Sequence, residues 1–386
     1  MASTTYLRRR PMASLRTDPT SPARHLDLVL VGSVAAVAVL GALMIFTTTR
    51  GVRVPYDMSF LRKQVMFLVL GGVAMVAIAS QDYRRIRDVA PVIYLGTLVL
   101  LAGVLTPLGS RSKGTQGWYQ LGPFQLQPSE LAKLGLIVGL AALGSHFQGH
   151  INLRRLGALV LVAVPPMALV LLQPDLGTTL VSAFITFAML LVVGVRPRHL
   201  AVIALVGIIG VTLVLQSGVL AQYQKNRLTV FVHQENQRAA GTRREAYNLD
   251  QAKIAIGSGG LTGEGLFRGN QTRLGNVPEQ HTDFIFTAVG EQLGFLGGAT
   301  LLLLLAVIVW RVWRAAQLAR DAFGTLLCAG IMALFVFQIF ENAGMTMGIM
   351  PITGIPLPFM SYGGSSTITL FAAVGIVLSI HMRRFS

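Results

Sequence analysis

Glu279, His281 and Asp283 fall within five consecutive positions, and the next residue, Phe284, opens a long apolar run. A carboxylate held at the edge of an apolar phase is partly desolvated, which raises its pKa and makes it a stronger base. Ionisable groups at membrane depth are costly, and for that reason they are candidates for function. A plainer role competes: an Asp or Thr here could cap the coming helix by accepting hydrogen bonds from its free N–H groups. One cap uses one side chain, and three ionisable residues exceed that need.

Other polar groups gather at the starts of apolar runs. Gln127-Pro128-Ser129-Glu130 is followed by Lys133. Pro at the first helical turn and an acid beside it are ordinary helix-start chemistry. Lys133, a turn further in, must snorkel, pair with Glu130 or meet an anion. Gln173-Pro174-Asp175 reads as a similar start. Residues 351–366, PITGIPLPFMSYGGSS, are too rich in Pro and Gly for a continuous helix. Irregular backbone near membrane depth is tolerated only where it is buried by protein or lines a wet cavity. This segment is therefore expected to form one wall of a site, with Ser361 as a candidate substrate contact. The stretch IGSGGLTGEG lacks the Gly-Lys-Ser/Thr ending of a nucleotide loop, so backbone flexibility or a re-entrant turn is the expectation. No His/Cys metal cluster, HExxH motif or serine triad is visible.

These residues must be positioned by helices. Of 386 residues 53% are hydrophobic and only 12% charged, about half the charge of an ordinary soluble protein. Ten apolar spans are expected, near 26–47, 65–80, 90–107, 131–146, 156–172, 177–194, 199–216, 284–310, 324–346 and 366–381. If the N-terminus is cytoplasmic, alternate short loops should be basic. They hold Arg84, Arg85 and Arg87; Arg154 and Arg155; Arg196 and Arg198; Arg311, Arg314 and Arg320; and Arg383 and Arg384. The fold class is thus an all-α polytopic membrane protein of ten transmembrane helices, both termini cytoplasmic. A long extracytoplasmic loop, 217–283, joins helices 7 and 8. Residues 1–25, rich in Arg, Pro and Ser, read as a disordered tail, and 26–382 as one transmembrane domain. The first apolar run is too long for a signal-peptide core and is expected to be retained.

The net charge of +16 has no soluble domain to present it, which argues against nucleic acid. Long translocated loops escape the positive-inside rule, so Arg227, Lys253 and the other cations of 217–283 need another partner, such as anionic headgroups or phosphates. The single cysteine, Cys328, lies in an apolar run and reads as a small hydrophobe.

Several ordered blocks carry a resemblance: GWYQLGPFQLQPSELAK, QPDLGTT, YQKNR, YNLDQAKIAIGSGGLTGEGL, PEQHTDFIF and ENAGMTMGIMPITGIPLPFMSYGGSS. Together with the ten spans they resemble the SEDS family (shape, elongation, division and sporulation), over about residues 28–382, and within it the elongation branch. The chain departs from the family pattern at Gly117, where Arg is frequent, at Glu264, where Lys is common, and over 233–246.

The resemblance implies a peptidoglycan glycosyltransferase of the bacterial cytoplasmic membrane that polymerises lipid II at the outer face. It implies that Asp283 is the essential acid and general base. Lys133, Arg227 and Lys253 would then meet the pyrophosphate, with Glu130 supporting Lys133 or a metal, and Glu279, His281 and Ser361 lining the substrate site. A divalent cation, Mg or Mn with ligands unknown, is expected to offset leaving-group charge. The implied partners are a class B penicillin-binding protein transpeptidase and membrane proteins of the elongation complex, with no nucleic acid.

A lipid II flippase would use ten helices, broken segments and buried charges equally well. Its polar groups should extend to the cytoplasmic side, whereas those here cluster in outward loops. A pure scaffold for the transpeptidase would leave Glu279, His281 and Asp283 without a role.

Overall fold

The computed structural model describes residues 25–51, 56–112, 115–122, 124–147, 151–216, 231 and 243–385. The N-terminal tail and most of 217–242, including Arg227, lie outside the described residues. Thirteen helices are seen among the described elements: α1 (Leu28–Thr49), α2 (Ser59–Ser80), α3 (Tyr83–Asp88), α4 (Ala90–Val104), α5 (Pro128–Gly144), α6 (Leu153–Leu172), α7 (Leu176–Val193), α8 (Pro197–Gln216), α9 (Arg243–Ser258), α10 (Asn270–Leu274), α11 (Ile285–Leu318), α12 (Ala322–Met347) and α13 (Gly364–Met382). All ten stretches expected to span are helical. Among the described residues, α1, α2, α6, α7, α11, α12 and α13 are long and apolar enough to cross a membrane, while α4 and the Pro197–Gly210 part of α8 are apolar but shorter.

Two helices outrun their apolar segments. α2 starts at Ser59 rather than near 65, with Arg62 and Lys63 exposed on its first turns. α11 continues past 310, and its Arg311 reaches Asp27 at 2.7 Å. Asp27 in turn caps α1 by accepting the Leu30 N–H, so one buried carboxylate serves a cap and an ion pair.

The expectation of an all-α chain needs one correction. Residues 110–126 form a three-stranded antiparallel sheet of β1 (Ser110–Ser112), β2 (Thr115–Leu121) and β3 (Phe124–Leu126). The Thr, Trp and Tyr of TQGWYQL favour a pleated strand. The Tyr119 hydroxyl donates to Leu100 O and the Gln116 amide to Val104 O, seating the sheet on the end of α4.

The core lies along α5, α7, α12 and α13. Nearly all of α13 is buried, because α2 lies against it through small residues. A Cβ at Gly375 would come within 2.7 Å of Met75 O, so only glycine permits that approach. Cys328 is free and buried in α12, packed as a small hydrophobe. The outer faces of α2, α4, α6 and α8 carry exposed valines and leucines such as Val69, Val73, Val92, Leu161 and Val206, as a lipid-facing surface requires.

Candidate active site

The Asp283 segment is a turn folded on itself. Thr282 N and Phe284 N both donate to Glu279 O at 3.2 Å, and the Thr282 hydroxyl donates to the Glu279 carbonyl and carboxylate. Glu279 adopts φ +55°, a left-handed conformation uncommon for a residue with a side chain. Such strain persists only where its surroundings hold it, and it gathers at functional sites. The cap position of α11 falls on Phe284, and no side chain makes a cap hydrogen bond there. The cap position is thus one residue beyond Asp283, whose half-buried side chain precedes buried Phe284 and Ile285.

Two later segments fix this turn from behind. The buried Asn342 amide of α12 donates to both Asp283 O and Ile355 O at 2.8 Å. Tyr362 N donates to His281 O at 2.8 Å. The His281, Tyr362 and Phe60 rings pack together, with centroids 4.8–5.7 Å apart, and Phe67 links Tyr362 to Phe124 of the sheet. Burial pushes the Tyr362 phenol above its ordinary value, keeping it neutral. Proline-rich residues 351–358 thus form a wall of the site. Ser361 serves that wall's own geometry, since its hydroxyl accepts the Leu357 N–H at 2.9 Å and its N–H donates to Leu357 O.

A second polar group lies at the start of α5. Glu130 and Lys133 form a salt bridge of 2.7 Å, and both are buried, Lys133 at 2% exposure. Asp175 completes the group. It caps α7, its two oxygens taking the N–H and hydroxyl of Thr178. Burial holds its carboxyl above the ordinary 3.8, against the Thr178 bonds and the Lys133 charge, while Glu130 pushes the same way as burial. Continuity with the Asp283 turn runs through α7. A Cβ on Gly177 would lie 3.0 Å from Thr353 O, so the start of α7 rests on the proline-rich wall. Ser365 ties the same end of the molecule together by accepting Gln127 N–H and donating to Gln125 O.

The glycine-rich stretch is held in place rather than loose. α11 breaks at Gly294 (φ 66°, ψ −164°), which frees backbone groups above and below the break. The loop after α9 takes them: Glu264 N and Gly265 N donate to Glu291 O and Gln292 O, and Phe295 N and Leu296 N donate to Gly260 O and Leu261 O. Buried Glu291 accepts Gln271 N, Thr272 N and the Thr272 hydroxyl, supplying an anion at the start of α10. A Cβ at Gly259 would stand 1.9 Å from Gly290 O. Gly259→Ala is therefore expected to lower stability by about 1–3 kcal/mol and to speed amide exchange across 259–276. Unchanged melting and exchange would show that the loop is not held by this approach.

α9 lays Ala246, Leu249, Ala252 and Ala255 in one apolar cluster with Val277, Phe284, Met345 and Ile352. Lys253, half-buried, follows Ala252 on this helix and so lies on the element that backs Phe284. The structure thus brings Glu279, His281, Asp283 and Ser361 into one region, places Lys253 on its flank, and sets Glu130 and Lys133 behind the proline-rich wall. The sequence reading passed over Gln338, Glu341 and Asn342 of α12, all fully buried. The signal was there: an acid and two amides inside an apolar run.

Among the described residues no three His, Cys, Asp or Glu side chains converge as a metal cage. Magnesium does not need one, since it keeps several waters and takes one or two carboxylates plus substrate phosphates.

Comparison with known proteins covers nearly the whole chain. Residues 27–385 match the family model of FtsW, RodA and SpoVE, described as cell cycle protein. Peptidoglycan glycosyltransferase MrdB of Escherichia coli K12 is 36% identical over 362 residues, 93% of this chain and 94% of that protein. Stage V sporulation protein E of Bacillus subtilis is 34% identical over 95% of this chain and 98% of its own. The crystal structure of Thermus thermophilus rod shape determining protein RodA superposes with a TM-score of 0.69 at 31% identity, covering 94% of this chain and 98% of that one. A chain from a study of how a peptidoglycan synthase complex coordinates polymerization and crosslinking reaches 0.77 at 32% identity, covering 94% and 99%. With nearly its whole length matched by sequence and by shape, the chain belongs to the FtsW/RodA/SpoVE family, the SEDS proteins.

Proposed function

We propose that this membrane protein is a peptidoglycan glycosyltransferase that polymerises lipid II at the outer face of the bacterial cytoplasmic membrane, in cell elongation and shape. One observation carries the reading. Asp283 is held through its backbone carbonyl, in a strained turn at the end of a buried helix whose cap it does not supply. That grip on the backbone fixes where the half-buried carboxylate stands at the edge of the apolar core.

Asp283 takes the proton of an acceptor sugar 4-hydroxyl as that oxygen attacks the anomeric carbon of the donor. The new C–O bond forms opposite the breaking bond to pyrophosphate, so an α-linked donor gives a β-linkage. The electron pair leaves with undecaprenyl pyrophosphate. Lys253, on the helix behind Phe284, and Lys133, with Glu130 fixing its position, are the cations assigned to that charge, and Glu279 and His281 line the acceptor side. A divalent cation, when bound, would offset the same charge, held chiefly by the substrate's phosphates and water.

In this reading ten helices span the membrane, both termini are cytoplasmic, and α9, α10 and the sheet lie outside. An apolar groove of about 580 Å³ opens between α11 and α12, with Trp310 and Phe340 in its walls and Ala343 and Gly344 beside Asn342. It offers a seat for a membrane-embedded apolar chain close to the site. A class B penicillin-binding protein is the expected partner, as the solved synthase complex suggests by analogy. The test uses purified protein in detergent with lipid II, a divalent cation and the transpeptidase. Detergent removes sidedness, so transport gives no signal. Glycan polymer on a gel establishes the transferase, and its absence under varied partner and metal favours the flippase.

A further inference from the structure

Gln338, Glu341 and Asn342 occupy one face of α12 at i, i+3 and i+4, where helical side chains are neighbours. All three are fully buried. Only some of their atoms are bonded. Glu341 Oε1 accepts the Thr353 hydroxyl at 2.8 Å, and the Asn342 amide donates to Asp283 O and Ile355 O. Glu341 Oε2, Asn342 Oδ1 and both polar atoms of the Gln338 amide have no hydrogen-bond partner among the described residues. Each such atom costs about 1–3 kcal/mol relative to an apolar replacement. A helix that could have carried leucine here carries an acid and two amides, and that cost points to a use.

The use is visible in what the bonded atoms hold. The Glu341 and Asn342 bonds fall on Thr353 and Ile355, either side of Gly354, whose φ of +78° is the freest point of the proline-rich wall. Two fasteners thus flank the one glycine of residues 351–358. Behind the wall, Thr353 O rests on Gly177 at the start of α7. In front, the Asn342 amide that grips Ile355 also grips the carbonyl of Asp283. Glu341 is fully buried and does not meet substrate, so it acts through these contacts.

We propose that Glu341 is a positioning residue for the transfer reaction: through Thr353 it latches the proline-rich wall to α12, and with Asn342 it fixes where Asp283 stands. The proposal rests on Asp283 being the base. Small displacements of a catalytic group have large effects, about 100-fold for 1 Å. The loss therefore falls on kcat, while KM for lipid II, set by contacts elsewhere, stays within about twofold.

The experiment compares full-length wild type, Glu341→Ala, Glu341→Gln, Thr353→Val and Thr353→Ser with the transpeptidase partner in detergent. It reads kcat and KM for lipid II, and amide exchange over 282–284 and 353–355. Glu341→Ala and Thr353→Val should each lose about 10- to 100-fold in kcat with faster exchange in both segments. Glu341→Gln and Thr353→Ser, which keep an acceptor and a donor, should restore most of the rate. Wild-type turnover in Glu341→Ala or Thr353→Val overturns the proposal, as does a loss confined to KM or a failure of the conservative variants to rescue. If Glu341→Ala does not fold, the Thr353 pair decides. If wild type makes no polymer, the enzymatic reading falls, and exchange alone still shows whether the latch exists.

Discussion

Asp283→Asn is expected to abolish glycan polymerisation, by a factor of about 10² to 10⁴, and to leave the fold intact. The two halves of that expectation have different sources. The rate falls because an amide cannot take the sugar hydroxyl's proton. The fold survives because the structure holds Asp283 by its backbone carbonyl, through Asn342, and the cap position of α11 falls on Phe284. Asparagine has nearly the shape of aspartate and keeps that carbonyl. Polymer length and yield on a gel, beside thermal melting of both proteins, check the pair. A well-folded Asp283→Asn enzyme that still polymerises removes the base assignment. A variant that fails to fold would show that the carboxylate also has a structural role.

Lys133 is expected to show the opposite balance. Its ammonium is buried against Glu130 at 2.7 Å. Lys133→Met leaves a buried carboxylate uncompensated, which typically costs about 3–5 kcal/mol, and melting should fall accordingly. Removing both charges is often close to neutral. Glu130→Gln with Lys133→Met should therefore recover most of the lost stability. Activity then separates structure from chemistry. The folded double variant is expected to polymerise about tenfold more slowly, at least, at limiting lipid II, as loss of one charge-assisted contact implies. Full activity in that variant would confine Lys133 to a structural role.

The helices and their order were legible because each stretch is both apolar and long, and the arginines between them repeat with the parity of the crossings. Strands β1 to β3 were not, since three residues of pattern are too few to read, and only TQGWYQL had the composition. α9 was hidden for another reason. Its buried positions Ala246, Leu249, Ala252 and Ala255 are mostly alanines, too weakly apolar to stand out beside Arg, Glu, Asn, Asp and Lys. The order of the glycine-rich loop was not legible because what holds it, the break at Gly294, lies far along the chain. Asp283 was legible as an acid at a membrane boundary. Glu341 carried the same kind of signal, and was overlooked because a single acid in 324–346 does little to the average hydropathy. Ser361 was noticed for its hydroxyl, which the structure spends on Leu357.

The turn that carries Asp283 is held by Asn342, Ile355 and Tyr362, all of which come later in the chain. A protein made from its N-terminus inserts α1 to α11 before those residues exist. Asp283 is therefore translated before the parts that hold its turn, which waits on α12 and the segment that follows it. Chains truncated before α12 would lack Asn342 and the segment after it, and so every one of these contacts. The geometry makes the turn at Asp283 depend on a part of the chain made about sixty to eighty residues later.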